Sequence, residues 1–275
     1  MHQTNFSMEA PAVVRLKANG KPKRKSPEGE ATTDLVLSCY AGDNSEIFPR
    51  ILHLHVPKGS IVADVTYGKG VFWRKVPAED YKMKPSDLKT GVDFRHLPYE
   101  DESIDAIVLD PPYMEGLFRH DDTLAGVGTH DAFRDSYSNG VRPKNLEKKW
   151  HDAVLELYVQ GATEAIRVLK NKGIFIVKCQ DEVSAGIQRL THVELIMNYL
   201  QVGLYCKDLF VVSRLNKPGV TRIKKQLHSR KNHSYFLIFE KGPTKSRLAS
   251  VAIFALPPKC PVVEKGQKHT EPVEV

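Results

Sequence analysis

Four consecutive residues, Asp110-Pro111-Pro112-Tyr113, combine groups that suit the binding of an aromatic amine. The carboxylate of Asp110 can accept hydrogen bonds from the amine, and the Tyr113 ring can stack on the ring that carries it. The two prolines have a nearly fixed φ and lack N–H groups, so the segment is stiff and its carbonyl groups are free to accept hydrogen bonds. The alternative is an ordinary turn, because Asp-Pro and Pro-Pro are common turn dipeptides.

The tetrapeptide follows the apolar run 104–109, which predicts a strand buried on both faces. In open α/β sheets, ligands bind in the crevice beyond the carboxyl ends of the strands. We therefore expect Asp110 to lie at such a crevice.

A second unit of strand and turn lies upstream, where the short apolar run 60–64 ends in Asp64 and leads into the glycine-rich segment 65–70. The pattern is Asp-x-x-x-Gly-x-Gly, in which glycines permit a sharp turn close to a ligand, and we expect a helix to start at Val71-Phe72-Trp73. A dinucleotide-binding loop would have a small residue in place of Trp73, and a phosphate loop would have Ser or Thr in place of Gly70.

Together the two units resemble class I S-adenosylmethionine-dependent methyltransferases, and in particular the DNA amino-methyltransferases that modify adenine N6 or cytosine N4 with an Asp-Pro-Pro-Tyr motif. Val65 and Thr66 depart from the Pro-Phe pair that is frequent in this loop. The resemblance covers roughly residues 44–242. It implies an α/β, Rossmann-like fold with a mostly parallel seven-stranded sheet, an antiparallel last strand and helices on both faces.

The resemblance also assigns roles to individual residues. The catalytic residues would be Asp110, Pro111, Pro112 and Tyr113. Asp87 would bind the ribose hydroxyls of the cofactor, Asp93 would accept a hydrogen bond from its adenine amine, and Phe94 would border the adenine ring. The full set implied to bind S-adenosylmethionine is Asp64, Thr66, Tyr67, Gly68, Gly70, Asp87, Asp93, Phe94 and Asp110.

The remaining periodicity fits the alternation of strands and helices that a mostly parallel sheet requires. Apolar residues at helical spacing predict a helix over 150–169 that closes at Asn171 to Gly173, and a second helix over 193–200. Apolar β-rich runs predict strands at 81–86, 173–178, 208–213 and 234–240.

We expect one catalytic domain over residues 34–243, between a disordered basic tail at 1–33 and a partly flexible extension at 244–275. The insertion 114–149 is a candidate lid over the target base or a candidate element for sequence reading. It contains His120-Asp121-Asp122 and His130-Asp131, but their spacing fits no metal site, so we expect no metal. No apolar run approaches the roughly 20 residues that span a bilayer, and we expect a cytoplasmic protein.

The charge of the chain favours a polyanionic partner, because 40 Lys and Arg against 33 Asp and Glu give a net charge of +7. Basic residues concentrate in a predicted loop at 214–233, where they could neutralise phosphates beside the crevice. The alternative is a solvated hairpin. The candidate nucleic-acid-binding residues are Arg214, Lys217, Arg222, Lys224, Lys225, Arg230 and Lys231.

The sequence thus predicts an enzyme that methylates an exocyclic amine of a base in DNA, most simply adenine N6, after the base is flipped out of the duplex. Cytosine C5 is disfavoured, because that chemistry uses a Pro-Cys pair and none of the four cysteines follows a proline. An RNA amino-methyltransferase (adenine N6 or guanine N2), a DNA cytosine-N4 enzyme and a non-catalytic nucleic-acid-binding relative remain alternatives. A link to restriction–modification and a partner nuclease is left open.

Overall fold

A central sheet organises the part of the chain that the computed structural model describes, which comprises residues 35–113, 151–214 and 225–242. The described residues form nine strands, of which seven make up this sheet and two make a separate hairpin. The strands are β1 (Cys39–Ala41), β2 (Ile61–Asp64), β3 (Lys82–Pro85), β4 (Ile104–Leu109), β5 (Leu169–Cys179), β6 (Glu182–Ser184), β7 (Ile187–Arg189), β8 (Leu204–Ser213) and β9 (His233–Lys241).

Three α-helices and two short 3-10 helices connect these strands within the described residues. Asp43 caps the first helix through its side chain, which accepts a hydrogen bond from the N–H of Ser45 at 2.8 Å. The α-helices are α1 (Asn44–His55), α2 (His151–Val168) and α3 (Thr191–Gln201), and the 3-10 helices span Val71–Lys75 and Leu88–Thr90.

The main sheet has seven strands in the order β1-β8-β9-β5-β4-β2-β3. All neighbouring pairs are parallel except those made by β9, which runs antiparallel to both β5 and β8. The mostly parallel seven-stranded sheet with an antiparallel last strand is therefore confirmed. The carboxyl ends of β2 and β4, which the sequence supplies with Asp64 and Asp110, lie side by side, since Asp64 is in register with Val108.

Hydrophobic side chains pack on both faces of this sheet. On one face, α1 contributes Phe48 and Ile51 to a cluster with Val108 and Ile176 of the central strands. On the other face, α2 and α3 pack against alternate residues of the same strands, including Leu109. The predicted placement of helices on both faces is confirmed, and two apolar layers hold the central strands rigidly beneath the crevice.

One predicted boundary is wrong. The helix that begins near Trp150 does not close at Asn171 to Gly173, because β5 already begins at Leu169. Leu169 pairs with Ile104, after which the register with β4 shifts, and Lys172 takes a φ of 63° within this irregular start. The helix expected to start at residues 71–73 is confirmed, and it is a 3-10 helix of five residues, Val71–Lys75.

Several predicted segments cannot be compared with the structure. The tails 1–33 and 244–275 and the insertion 114–149, with its histidines, lie outside the described residues. Within the described helices, none has the length and apolar character needed to cross a bilayer.

His151, the first residue of α2, joins the β6–β7 hairpin to α3. Its side chain is buried, and its two ring nitrogens lie 2.8 Å from Glu182 Oε1 and 2.9 Å from Glu194 Oε2. Burial alone would lower the pKa of His151, but the hydrogen bonds to Glu182 and Glu194 outweigh it and raise the pKa above its ordinary value. Below this raised pKa, the imidazolium form of His151 can donate to both carboxylates and so link these three elements.

We predict that His151→Gln destabilises the protein by about 2 kcal/mol at pH 5.5, because both carboxylates lose a charged donor. Since the folded pKa is raised, the contribution of His151 is fully present below the unfolded pKa of about 6.5 and is lost as the pH rises through the folded pKa. Urea unfolding from pH 5.5 to 9 should show the difference from wild type shrinking with rising pH.

His55→Gln is the control for this measurement. Burial lowers the pKa of His55 in spite of the neighbouring Asp208. The contribution of His55 to the free energy of unfolding therefore decreases as the pH falls, whereas that of His151 decreases as the pH rises. The same trend in both variants would contradict the assignment of a charged His151.

Candidate active site at the carboxyl ends of β2 and β4

Asp64 ends β2 as a buried carboxylate held by two neighbours. Its Oδ2 accepts a hydrogen bond from Trp73 Nε1 at 2.7 Å, and its Oδ1 accepts one from the N–H of Thr66 at 3.1 Å. Burial raises the pKa of Asp64 to about 7, against the hydrogen bonds from Trp73 and Thr66, and the charge of Asp110 adds to the rise. Trp73, which distinguishes this loop from a dinucleotide-binding loop, thus has a role in fixing Asp64.

The glycine-rich segment after β2 has the backbone conformation that the sequence predicts. Gly68 and Gly70 both take positive φ values, 52° and 61°. A Cβ at Gly70 would clash with the hydroxyl oxygen of Tyr67, so the tyrosine ring covers the second glycine. The loop is therefore closely folded on itself, and both glycines are required by its local geometry.

Asp87 holds this loop in place from the end of β3. Its Oδ2 accepts the N–H of Gly68 at 3.1 Å, and its Oδ1 accepts the N–H of Thr90 at 3.0 Å in a capping box. The predicted contact with ribose hydroxyls stays a prediction, but the structure does bring Asp87 to the glycine loop.

Asp110 follows β4 at the same edge of the sheet. Its N–H donates to Thr66 Oγ1 at 2.7 Å, and its Oδ1 accepts a hydrogen bond from the Tyr113 hydroxyl at 2.5 Å. Burial raises the pKa of Asp110 to about 6, against the hydrogen bond from Tyr113 and the charges of Lys178 and Arg214. Pro111 and Pro112 are buried, whereas Asp110 and Tyr113 are partly exposed.

Thr66 connects the two strand ends. Its hydroxyl accepts the N–H of Asp110 and lies 3.4 Å from Asp64 Oδ1, to which it donates. The structure thus brings together the glycine loop and the Asp-Pro-Pro-Tyr segment, as expected from sequence. The connecting side chain is Thr66, for which the sequence predicts a contact with the cofactor but not this link between the loops.

Asp93 and Phe94 lie in a different setting. Asp93 forms a two-pronged ion pair with Arg95 at 2.6–3.0 Å, and this pair holds the pKa of Asp93 below its usual range although burial alone would raise it. Phe94 is buried, and a Cβ at Gly161 of α2 would lie 3.1 Å from its ring. The described contacts join Asp93 to Arg95 and leave its predicted role in adenine binding untested.

Lys178 is a site residue that sequence reasoning missed. It is a fully buried lysine near the end of β5, and its Nζ donates to Asn44 Oδ1 at 3.0 Å and lies 3.8 Å from the centre of the Phe236 ring. Burial lowers the pKa of Lys178 to about 7, although the charge of Asp110 acts to raise it. A single lysine after the apolar run 174–177 was the signal that could have revealed it.

Part of the candidate nucleic-acid interface is described. Arg214, Lys225 and Arg230 are exposed, and Lys231 is partly exposed. The backbone N–H of Arg214 donates to the carbonyl of Asn232 at 2.7 Å beyond the ends of β8 and β9. Lys217, Arg222 and Lys224 lie outside the described residues. No cluster of three metal-binding side chains is found in the described ranges.

Comparisons with known proteins place the fold in context. No protein-family profile matches the chain. No curated protein matches it in sequence. Solved structures with a similar fold include the [4+2]-cyclase SpnF (14% identity, 73% of this chain and 82% of that chain, TM-score 0.42). TrmN from Thermus thermophilus gives 16% identity over 72% of this chain and 48% of its own, with a TM-score of 0.40.

A candidate DNA modification methylase from Thermus thermophilus is also similar, with 12% identity over 68% of this chain and 57% of its own and a TM-score of 0.32. Likenesses at this distance do not decide a reaction, because one fold carries many activities. The function must be argued from the residues of the site.

We predict that Thr66→Val lowers the free energy of unfolding by about 1–3 kcal/mol, because the N–H of Asp110 loses its acceptor at nearly constant side-chain volume. Thr163→Val is the matched control. It removes an exposed hydroxyl that bonds only the carbonyl of Val159 within α2, and it should change stability by less than about 0.5 kcal/mol. Equal effects in urea unfolding would show that Thr66 does not connect the two loops.

Proposed function

We propose that this protein transfers a methyl group from S-adenosylmethionine to an exocyclic amine of a nucleic-acid base, with adenine N6 in DNA as the leading target. The observation that supports the proposal is a pair of hydrogen bonds that connects the two loops. Thr66 Oγ1 accepts the N–H of Asp110 and donates to Asp64. The glycine-rich turn, which suits a cofactor, and the carboxylate of Asp110, which suits an amine, are thereby held close together, and this supports a single crevice for both.

The charges of the crevice favour a cationic cofactor over a phosphorylated one. Asp64, Asp87 and Asp110 all end or follow neighbouring strands, and their carboxylates would repel a pyrophosphate. In dinucleotide-binding folds the glycine loop leads into a long α-helix whose amino end binds phosphate. Here the loop leads into a 3-10 helix of five residues. S-adenosylmethionine fits this donor set, and when bound it supplies an electrophilic methyl group on a positively charged sulfonium.

The residues implied to hold the cofactor divide into two groups. The backbone around Gly68 and Gly70 and the carboxylate of Asp87 form one structural unit through the hydrogen bond of 3.1 Å between them. We propose that this unit binds the ribose and the adjacent part of the cofactor, together with the remaining members of the predicted set, which are Asp64, Thr66, Tyr67, Asp93 and Phe94.

The chemistry at Asp110 follows from the electronic structure of an aromatic amine. Its lone pair is delocalised into the ring, so the nitrogen is a poor nucleophile. If Asp110 and the carbonyl of Pro111 each accept one N–H, the nitrogen can become pyramidal and localise its lone pair. Tyr113 occupies Oδ1 of Asp110, and among the described residues Oδ2 has no hydrogen-bond partner, so it is available to the amine.

DNA is the proposed substrate because basic side chains are exposed after β8 and before β9. The carboxyl end of β8 and the amino end of β9 lie at the same edge of the sheet as Asp110, so these side chains are on the side of the crevice. A base buried in a duplex cannot reach a crevice of this kind, so it must be flipped out, after which Tyr113 can stack on it. RNA with an unpaired base would meet the same groups, and the test must therefore include both nucleic acids.

The test is transfer of labelled methyl from S-adenosylmethionine to unmethylated DNA and to RNA, followed by mass spectrometry of the nucleosides. We expect N6-methyladenine in the DNA digest and a loss on the order of 10³-fold in Asp110→Ala, which removes the acceptor. Asp101→Ala, at an exposed carboxylate that pairs with Arg167, is the control and should retain wild-type activity. Label only in RNA would overturn the choice of DNA, and no label in either would contradict the proposed reaction.

We further predict that replacing Arg230 and Lys231 together with serine makes the dependence of DNA affinity on salt shallower. Each lost phosphate contact should reduce the slope of log K against log salt by about 1, because fewer counterions are released. Fluorescence anisotropy from about 50 to 300 mM salt measures this slope. Serine at Lys58 and Lys82, which lie at the amino ends of β2 and β3, should leave the slope unchanged. Equal slopes in all three proteins would exclude this surface from DNA binding.

A further inference from the structure

We propose that Lys178 is a positioning residue for the reaction, and that its buried ammonium group keeps the carboxylate of Asp110 ionised and oriented to accept hydrogen bonds from the substrate amine. The catalytic part of this inference rests on the proposed function, whereas the relation between the two side chains does not.

The register of the sheet places the two residues next to each other. Leu109, the last residue of β4, pairs with Val177 of the parallel strand β5, so Asp110, directly after β4, and Lys178 on β5 are the residues that follow this pair. Side chains alternate between faces along a strand. Val108 and Ile176 belong to the cluster under α1, and Asp110 and Lys178, two positions further on, therefore share that face.

The position of Lys178 is fixed from three sides. Its Nζ donates to Asn44 at the start of α1 and lies 3.8 Å from the centre of the Phe236 ring on β9. From the opposite face of the sheet, the hydroxyl of Tyr158 donates to the carbonyl of Lys178 at 2.8 Å. Both the backbone and the ammonium group are held, so the charge has a defined place at the end of β5, the strand adjacent to the one that leads into Asp110.

Several other titratable groups act on this pair from the surrounding elements. Asp43 before α1 and Cys179 of β5 act to raise the pKa of Lys178. The charge of Asp110 in turn acts to raise the pKa values of Asp64 at the end of β2 and of Tyr158 on α2. Among the described residues, the other cation that acts on Asp110 is Arg214, which is exposed and therefore screened by solvent and salt. Lys178 is fully buried, so its field reaches Asp110 with little screening.

The ionisation of Asp110 matters because only the carboxylate form has both oxygens available as acceptors. Burial raises the pKa of Asp110 to about 6, and the charge of Lys178 acts in the opposite direction. Removal of that charge should raise the pKa of Asp110 further. The protonated fraction at neutral pH would then increase, and activity would be lost on the acidic side and recovered as the pH rises.

A purely structural lysine would act differently. If Lys178 only fastened α1 to the sheet through Asn44, its removal would lower activity by the same factor at every pH. The experiment must therefore measure the pH dependence, and it must observe Asp110 independently of methyl transfer.

Two measurements on Lys178→Met test the proposal. The first is the titration of Asp110 by ¹³C NMR with carboxyl-labelled aspartate, assigned with Asp110→Asn. The second is the single-turnover rate of methyl transfer from pH 5.5 to 9. Lys84→Met is the matched control, since Lys84 is a strand lysine that lies 5.2 Å from the centre of the Tyr99 ring but is exposed on β3. Lys178→Gln, which can still donate to Asn44, serves if the methionine variant does not fold.

We expect the Asp110 midpoint to rise by one pH unit or more in Lys178→Met, and the acidic limb of the rate profile to move by the same amount. One unit corresponds to a tenfold loss of the ionised form on the acidic side of the midpoint. Lys84→Met should match wild type in both measurements. An unshifted Asp110 midpoint would overturn the proposal. If wild type showed no methyl transfer but the midpoint still shifted, the proposed reaction would fail while the charge relation between Lys178 and Asp110 stood.

Discussion

The hydroxyl group of Thr66 joins the two strand ends that carry the glycine loop and the Asp-Pro-Pro-Tyr segment. By accepting the N–H of Asp110 and donating to Asp64, it fixes the distance between the glycine loop and the Asp-Pro-Pro-Tyr segment. The other contacts of the site depend on this arrangement, because Trp73 and Asp87 hold the glycine loop against the same edge. Two apolar layers beneath the sheet prevent the strands from shifting, so small side chains at their ends can be placed accurately.

The site contains three ionisable side chains at the carboxyl ends of adjacent strands. Asp64, Asp110 and Lys178 stand at the ends of β2, β4 and β5, and all three are shielded from bulk water to different degrees. Burial makes the ionised form of a carboxylate less favourable, and the pKa values of Asp64 and Asp110 are raised for this reason. A neighbouring buried cation reduces the cost at Asp110. Under the proposed function, a positively charged methyl donor would reduce the same cost at Asp64.

Sequence patterns located the elements that carry the site but not the contacts between them. The strands ending at Asp64 and Asp110 could be predicted because unbroken apolar runs have few alternatives. The end of α2 was predicted wrongly, since Asn171 to Gly173 resembles a helix terminus but forms an irregular start of β5. Lys178 and the connecting role of Thr66 were missed because they arise from register between β4, β5 and β2, which no local pattern encodes. The short strand β1 and helix α1, which supplies Asn44, were not predicted either.

We propose that one crevice holds both the cofactor and the amine, with Asp110 between them. A crystal structure of the protein with sinefungin, a stable analogue of S-adenosylmethionine, and a DNA duplex with an unpaired adenine tests it most directly. We expect the analogue against Gly68 and Asp87, and the adenine amine within hydrogen-bond distance of Asp110 Oδ2 and the Pro111 carbonyl. An analogue bound away from the glycine loop, or an adenine amine without contact to Asp110 in the presence of bound analogue, would contradict the account.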